Sequence, residues 1–279
     1  MNQTLKQSWQ SVWIHALVWV FVIFSIYPIL QIIGISLRPG DQLYSTSLSL
    51  IPDNWTAEAY KIIIFEKPFP LWLRNSLLVS LSTALIGVSL ASLGGYALSR
   101  FKFLGRGVAL QGIMMTQMFP ATMLLLPLYV LMRKFHLVDT LAGVVVAYVA
   151  TALPFCIWTM KGYYDTIPVD LEEAALIDGA GRLTAFYKIT LPLSAPALVI
   201  TALFSFMTGW SEFIVARVML PSSELATLPL GLESLASTYQ TEWANYAAGS
   251  VLVCIPVVVL FLLLSKFLVS GLTLGGVKG

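Results

Sequence analysis

The chain has 279 residues, 58% of them hydrophobic and only 11% charged, with a mean hydropathy of +0.83, a usage that excludes an ordinary water-soluble domain. A formal charge of +2 and the lack of any block of consecutive Lys or Arg exclude tracking of a phosphate backbone. Cys156 and Cys254 both lie inside apolar runs, without the spacing of a disulfide framework or a metal site, and read as buried packing residues.

Crossing a hydrocarbon core of roughly 30 Å takes about 20 mainly apolar residues at helical rise. Runs of that kind span 13–37, 75–99, 108–132, 141–160, 195–220 and 246–268. The first follows Lys6 and continues to Leu37 without an A-x-A cleavage pattern, so it reads as a retained span rather than a signal peptide. Strict alternation of barrel strands is absent, which leaves helices as the spanning form. The fold class predicted is therefore an all-α integral membrane protein with six transmembrane helices, kinked or broken at Pro28, Pro120, Pro127, Pro154 and Pro256.

Six spans put both termini on one side. That side carries Lys6, Arg100, Lys102, Arg106, Lys161, Arg182, Lys188, Lys266 and Lys278, against Arg38, Lys61, Lys67, Arg74, Arg133 and Lys134 on the other, with Arg217 near a span end left out. The excess favours cytoplasmic termini. On the second span Gly87, Ala91 and Gly95 recur every four residues, a small-residue stripe that predicts a close helix contact, within the subunit first and at a subunit interface as the alternative.

Between the fourth and fifth runs, 165–194 is too polar for lipid and rich in helix signals. Pro168 sets the chain direction, Asp170 is placed to cap a short helix with Glu173 in capping-box position, and Gly179 or Gly181 ends it. Leu171, Ala174, Ala175 and Asp178 form a small, partly apolar face suited to docking in a groove. A second helical piece, 182–189, is expected to put Leu183, Phe186 and Ile189 on one side before Pro192 opens the fifth span.

Glu173-Ala174-Ala175, three residues, Gly179, nine residues and then Ile189-Thr190-Leu191-Pro192 reproduces the EAA motif, and with it the chain resembles the permease subunits of ABC importers. The likeness runs over nearly the whole chain and looks closest to the smaller permease of maltose and maltodextrin importers, with a type I fold. It is carried also by Ile35-Ser36-Leu37-Arg38, by Gln117-Met118-Phe119-Pro120, by Trp158-Thr159-Met160-Lys161-Gly162-Tyr163 and by Gly271-Leu272-Thr273.

The resemblance implies that 165–194 is a coupling loop docked into a cytoplasmic ATPase subunit through Asp170, Leu171, Glu173, Ala174, Ala175, Asp178, Gly179, Ile189, Leu191 and Pro192. It implies that the tail, Gly275, Gly276, Val277, Lys278 and Gly279, reaches the ATPase dimer, and that the outer loop 221–245 meets a solute-binding protein. A homologous second permease and two ATPase subunits complete the complex it implies, in the bacterial cytoplasmic membrane with both termini inside. The corresponding division of the chain is 1–71 (N-terminal segment, first span and outer loop), 72–268 (permease core with five spans) and 269–279 (cytoplasmic tail). The outer loops are shorter than in that relative and differently composed, so the substrate expected is a carbohydrate, maltose or maltodextrin first, with another oligosaccharide or a polyol as alternatives.

Glu212 is the one acid well inside an apolar run, read either as a pathway residue or as a structural anchor, with Arg217 as a nearby partner. Asn75, Gln111 and Gln117 read as interhelical hydrogen-bonding residues, Gln117 also as a possible pathway residue. Trp9, Trp13, Trp19, Trp72 and Trp243 fit an interfacial belt better than sugar stacking. His15 and His136 are isolated, so no metal is expected. Asp170, Glu172, Glu173 and Asp178 read as capping and docking groups rather than an acid/base pair.

No GxxxxGK[ST], GxSxG or HExxH pattern occurs. The expectation is a transport subunit that binds no cofactor, with ATP and Mg on the partner ATPases. A gradient-driven secondary transporter would call for inverted repeats around a charged midplane site. A membrane enzyme would call for more intramembrane acids than Glu212.

Overall fold

The computed structural model describes residues 2–40, 52–236 and 241–274, with side chains between 11 and 267 apart from Ala121. Their principal helices are α1 (Asn2–Ser36), α2 (Phe69–Arg100), α3 (Arg106–Thr116), α4 (Ala121–Lys134), α5 (Leu141–Tyr164), α6 (Asp170–Ile177), α7 (Ala195–Ser211), α8 (Ile214–Met219), α9 (Leu228–Leu235) and α10 (Trp243–Leu274). An isolated antiparallel bridge joins Ala236 to Thr241. By length and composition four helices can cross a membrane, through Ser11–Ser36, Phe69–Arg100, Leu141–Tyr164 and Trp243–Phe267. A fifth candidate is the pair Arg182–Leu193 and Ala195–Ser211, bent by 79°.

The third and fifth of the six expected runs are not single helices. Pro120 separates α3 from α4, because it has no N–H to give and disfavours helical geometry in the residue before it. In the fifth run, Glu212 turns extended (φ −73°, ψ 128°) after Ser211, and the chain restarts as α8. Pro28, Pro127, Pro154 and Pro256 sit inside helices that continue past them.

The helices divide into two compact units, one of residues 1–69 and 232–256, the other of 70–231 and 257–279. In the first, Ser36 Oγ and Tyr60 Oη are hydrogen-bonded at 2.7 Å, and Lys67 Nζ lies 2.7 Å from Glu242 Oε1, which fastens the start of α10. Side chains of α1 from Ser11 to Leu30 are nearly all exposed, an apolar surface on every side that belongs in lipid or against another chain.

In the second unit α2, α5 and α7 approach through small residues. A Cβ on Gly95 would lie 2.8 Å from Met160 Cβ and 2.9 Å from the Lys161 nitrogen. One on Gly87 would meet Ser205 Oγ at 3.0 Å, and one on Gly209 would meet Ser80 Cα at 2.8 Å. With Ala91 fully buried, the stripe on α2 thus makes an internal contact, as expected. Cys156 is buried and shares a 3.3 Å hydrogen bond with Ser205 Oγ. Cys254, expected to be buried, is exposed on α10, one of the helices long and apolar enough to cross a membrane.

Trp72 is only 4% exposed, because Gly231 leaves room for its ring, which would be 2.0 Å from any Cβ there. Nearby, Asn75 Nδ2 donates to the carbonyls of Glu224 and Ala226 at 3.0 Å each, and the Leu228 amide donates to Ser76 Oγ at 2.7 Å. The first part of the segment expected as an outer loop is therefore folded onto α2, with Thr227 and Leu228 buried.

Candidate functional site: the loop between α5 and α7

The α6 helix begins differently from the sequence expectation. Asp170 is its first helical residue, not its cap: Val169 precedes it in helical geometry, and the Val169 carbonyl accepts from Glu172 and Glu173 at 2.9 and 3.1 Å. The acids in this first turn, Asp170, Glu172 and Glu173, instead complement the positive end of the helix dipole. The end is as expected. Gly179 takes φ +86°, its amide bonds the Leu176 carbonyl at 3.1 Å, and the Ala180 amide bonds the Ala175 carbonyl at 2.9 Å. This is the Schellman arrangement, which favours glycine at the left-handed position.

Asp170, Leu171, Glu173, Ala174, Asp178, Gly179 and Pro192 are exposed, and Ala175, Ile189 and Leu191 half-buried. Ile177, at 87% exposure, adds an apolar tip that sequence reasoning did not single out. The piece after Gly181 departs from the expected single face. Arg182–Ala185 is α-helical but Phe186–Thr190 is a π turn, and the changed register leaves Leu183 exposed at 69% while Phe186 is buried.

The loop is anchored by groups outside the motif. Phe186 packs against Tyr96 of α2 at 4.5 Å between ring centroids, and Tyr96 meets Tyr164 of α5 edge-on at 5.9 Å. Arg182 lies 5.4 Å over the ring of Phe101, just past α2. Tyr96 Oη donates to Glu172 Oε2 and Arg100 Nε donates to Glu172 Oε1, both at 2.7 Å. Burial pushes the Glu172 carboxyl up, but the hydrogen bonds from Tyr96 and Arg100 outweigh it and hold the group below the usual range. Asp165 is likewise held low: hydrogen bonds from Lys161 and Ser99 overcome the opposing effect of burial.

The sequence flagged Glu172 among four acids and counted Arg100 for topology alone. An Arg ending one helix and a doubled acid opening another were the only signals of their pairing. The tail from Gly275 to Gly279 and residues 237–240 of the expected outer loop lie outside the described residues.

Glu212 caps the helix break. Its carboxyl oxygens accept from the amides of Ile214 (3.0 Å), Val215 (2.9 and 3.1 Å) and Ala216 (3.3 Å), and from Tyr148 Oη at 2.9 Å. These satisfy the opening amides of α8, which the break would otherwise leave unpaired. Gln117 Nε2 donates to the Thr151 carbonyl of α5 at 3.1 Å, an interhelical bond as expected.

The arrangement presents a short helix with exposed small, acidic and apolar side chains, gripped from behind by α2. It suits the seating of a partner protein. Residues 83–273 match the family model described as binding-protein-dependent transport system inner membrane component. The chain is 37% identical to the maltose/maltodextrin transport system permease protein MalG of Photorhabdus laumondii, over 100% of this chain and 99% of that protein. It is 35% identical to the inner membrane ABC transporter permease protein YcjP of Escherichia coli (93% and 94%) and 34% identical to the maltodextrin transport system permease protein MdxG of Bacillus subtilis (100% and 100%). It is also similar in structure to a chain of a bacterial ABC transporter involved in the import of the acidic polysaccharide alginate, with a TM-score of 0.81 and 25% identity over 94% of this chain and 97% of the other.

Proposed function

The chain belongs to the family of binding-protein-dependent transport system inner membrane components, and from that premise we propose that it carries maltose or maltodextrin inward, driven by ATPase subunits that dock on α6. It is a permease subunit of an ABC sugar importer. The single observation that carries the coupling is the loop itself: the EAA positions Glu173, Ala174 and Gly179 stand exposed on a helix held in place by α2.

In this reading the spans form the pathway and ATP is hydrolysed by a separate pair of subunits with their own Mg. Closure of that pair moves α6, and the bundle alternates its access between the two sides. A homologous permease completes the pathway, and an external binding protein delivers the sugar by way of the outer loop 221–245. Both termini lie on the cytoplasmic side with α6. The C-terminal residues 275–279 add a second contact to the ATPase pair, and the permease core is 72–268.

The test is ATP hydrolysis by the reconstituted complex, titrated with binding protein loaded with maltodextrin or with other sugars. Stimulation by one loaded sugar and not by the rest identifies the substrate. Failure of the chain to assemble with an ATPase, or to change its turnover, overturns the importer coupling and returns the gradient-driven transporter.

A further inference from the structure

Among the eight residues of α6 the one buried side chain is an acid, Glu172. A short helix held by its packing would bury Leu171 or Ile177, yet these are 44% and 87% exposed. α6 packs along 182–190, and its buried acid is held by the last two turns of α2. Arg100 spreads its guanidinium over three acceptors: Nε to Glu172 Oε1 at 2.7 Å, one terminal nitrogen to the Ile167 carbonyl at 3.0 Å, and the other to Ser99 Oγ at 3.2 Å. Ser99 Oγ in turn donates to Asp165 Oδ1 at 2.7 Å. Both ends of the 165–172 connection are thus tied to one turn of α2, although Arg100 and Glu172 are 72 positions apart.

The Arg100 and Glu172 side chains are each only 9% exposed. A buried ion pair is weak evidence for stability, since an apolar pair of equal volume serves as well. It is better suited to fixing direction, because a guanidinium with several simultaneous partners holds both position and angle. The chain enters α6 from α5 and leaves it along 182–190, against which α6 packs, yet the two 2.7 Å hydrogen bonds of its buried acid run to α2.

We propose that Arg100 and Glu172 are positioning residues that lock α6 to α2, so that a displacement of α6 is delivered to α2 as a rigid movement. This rests on the coupling reading above. It makes α2 the first span to respond, with α5 and α7 following through the close contacts at Gly95, Gly87 and Gly209.

The experiment uses the whole complex in proteoliposomes: this chain, its partner permease, the ATPase pair and binding protein loaded with maltodextrin. Sugar delivered per ATP hydrolysed is compared for the native chain, Glu172→Gln, Arg100→Lys, the exchanged pair R100E/E172R, and Gly179→Asp. Spin labels at Ile177 on α6 and Leu85 on α2 report whether the two helices move as one.

The expected result is a fall of about five-fold in sugar per ATP for Glu172→Gln and Arg100→Lys with the ATPase still bound, and partial recovery in the exchanged pair. The native Ile177-to-Leu85 distance stays the same with and without nucleotide, and broadens in Glu172→Gln. An unchanged sugar-to-ATP ratio in Glu172→Gln, or a native distance that shifts with nucleotide, overturns the lock. If Gly179→Asp uncouples and Glu172→Gln does not, the coupling reading stands and the lock alone falls. If the native complex shows no response to loaded binding protein, both fall.

Discussion

A Cβ added at Gly179 would find nothing within 4 Å, so substitution there meets no obstacle except the backbone angle of +86°. Gly181 is equally open but has φ −74°, which any residue adopts. The two glycines therefore separate strain from space. Gly179→Ala should cost about 1 kcal/mol, the penalty of a side chain in the left-handed region, and should fray the last turn of α6. Amide exchange at Ala180, whose N–H closes the turn onto Ala175, should quicken about five-fold in Gly179→Ala and stay unchanged in Gly181→Ala. Equal exchange in both variants would show that the turn is held by something other than glycine. At this scale the sequence displayed the exposed EAA side chains and the terminating glycine, because turn chemistry is local. It did not display Glu172 as buried, because Tyr96 and Arg100, brought up by the fold from 76 and 72 positions away, make burial of that acid tolerable.

Between elements, the close contact of α2 with α5 carries a similar contrast in neighbouring residues. A methyl on Gly95 would press on Met160 Cβ at 2.8 Å and on the Lys161 nitrogen at 2.9 Å, and a main-chain atom cannot swing aside. On Gly94 it would touch only Ile157 side-chain atoms at 3.5 Å, an ordinary contact. Gly95→Ala should then destabilise by about 1–3 kcal/mol, the usual cost of overpacking, while Gly94→Ala is close to neutral. Thermal unfolding of the solubilised protein compares them, and equal midpoints would mean the helices separate freely at this point. The small-residue stripe was readable because spacing of four puts residues on one helix face. The interruption of the third run was readable too, in Pro120. That of the fifth was not: hydropathy counts Glu212 as one polar residue in an apolar run, and cannot show that its carboxyl takes the opening amides of α8.

For the molecule as a whole, the broken third run decides how many times the chain crosses. Neither α3 with 11 residues nor α4 with 14 is long enough to span a core of about 30 Å at roughly 1.5 Å per residue; only the two with their link have the length. The second unit fixes where they begin and end. Phe101, before α3, lies under Arg182 of the loop between α5 and α7. Asp139, after α4, bonds through its amide to the Met219 carbonyl at 2.8 Å and through its carboxyl to Ser222 Oγ at 2.5 Å. Those two places are at opposite ends of α5, which starts at Leu141 and ends at Tyr164 beside the Arg100 cluster. The six-span topology requires the pair α3 and α4 to pass between those two ends rather than return to the side it left. Single cysteines at Leu104, Ile177 and Phe135, all exposed, test this in a chain whose Cys156 and Cys254 are replaced. A membrane-impermeant thiol reagent should label positions 104 and 177 only in inverted vesicles and position 135 only in right-side-out ones. Labelling of 135 from the same side as 104 would make the third run a re-entrant hairpin, and would leave α5 to α7 facing the opposite way from the one the coupling reading needs.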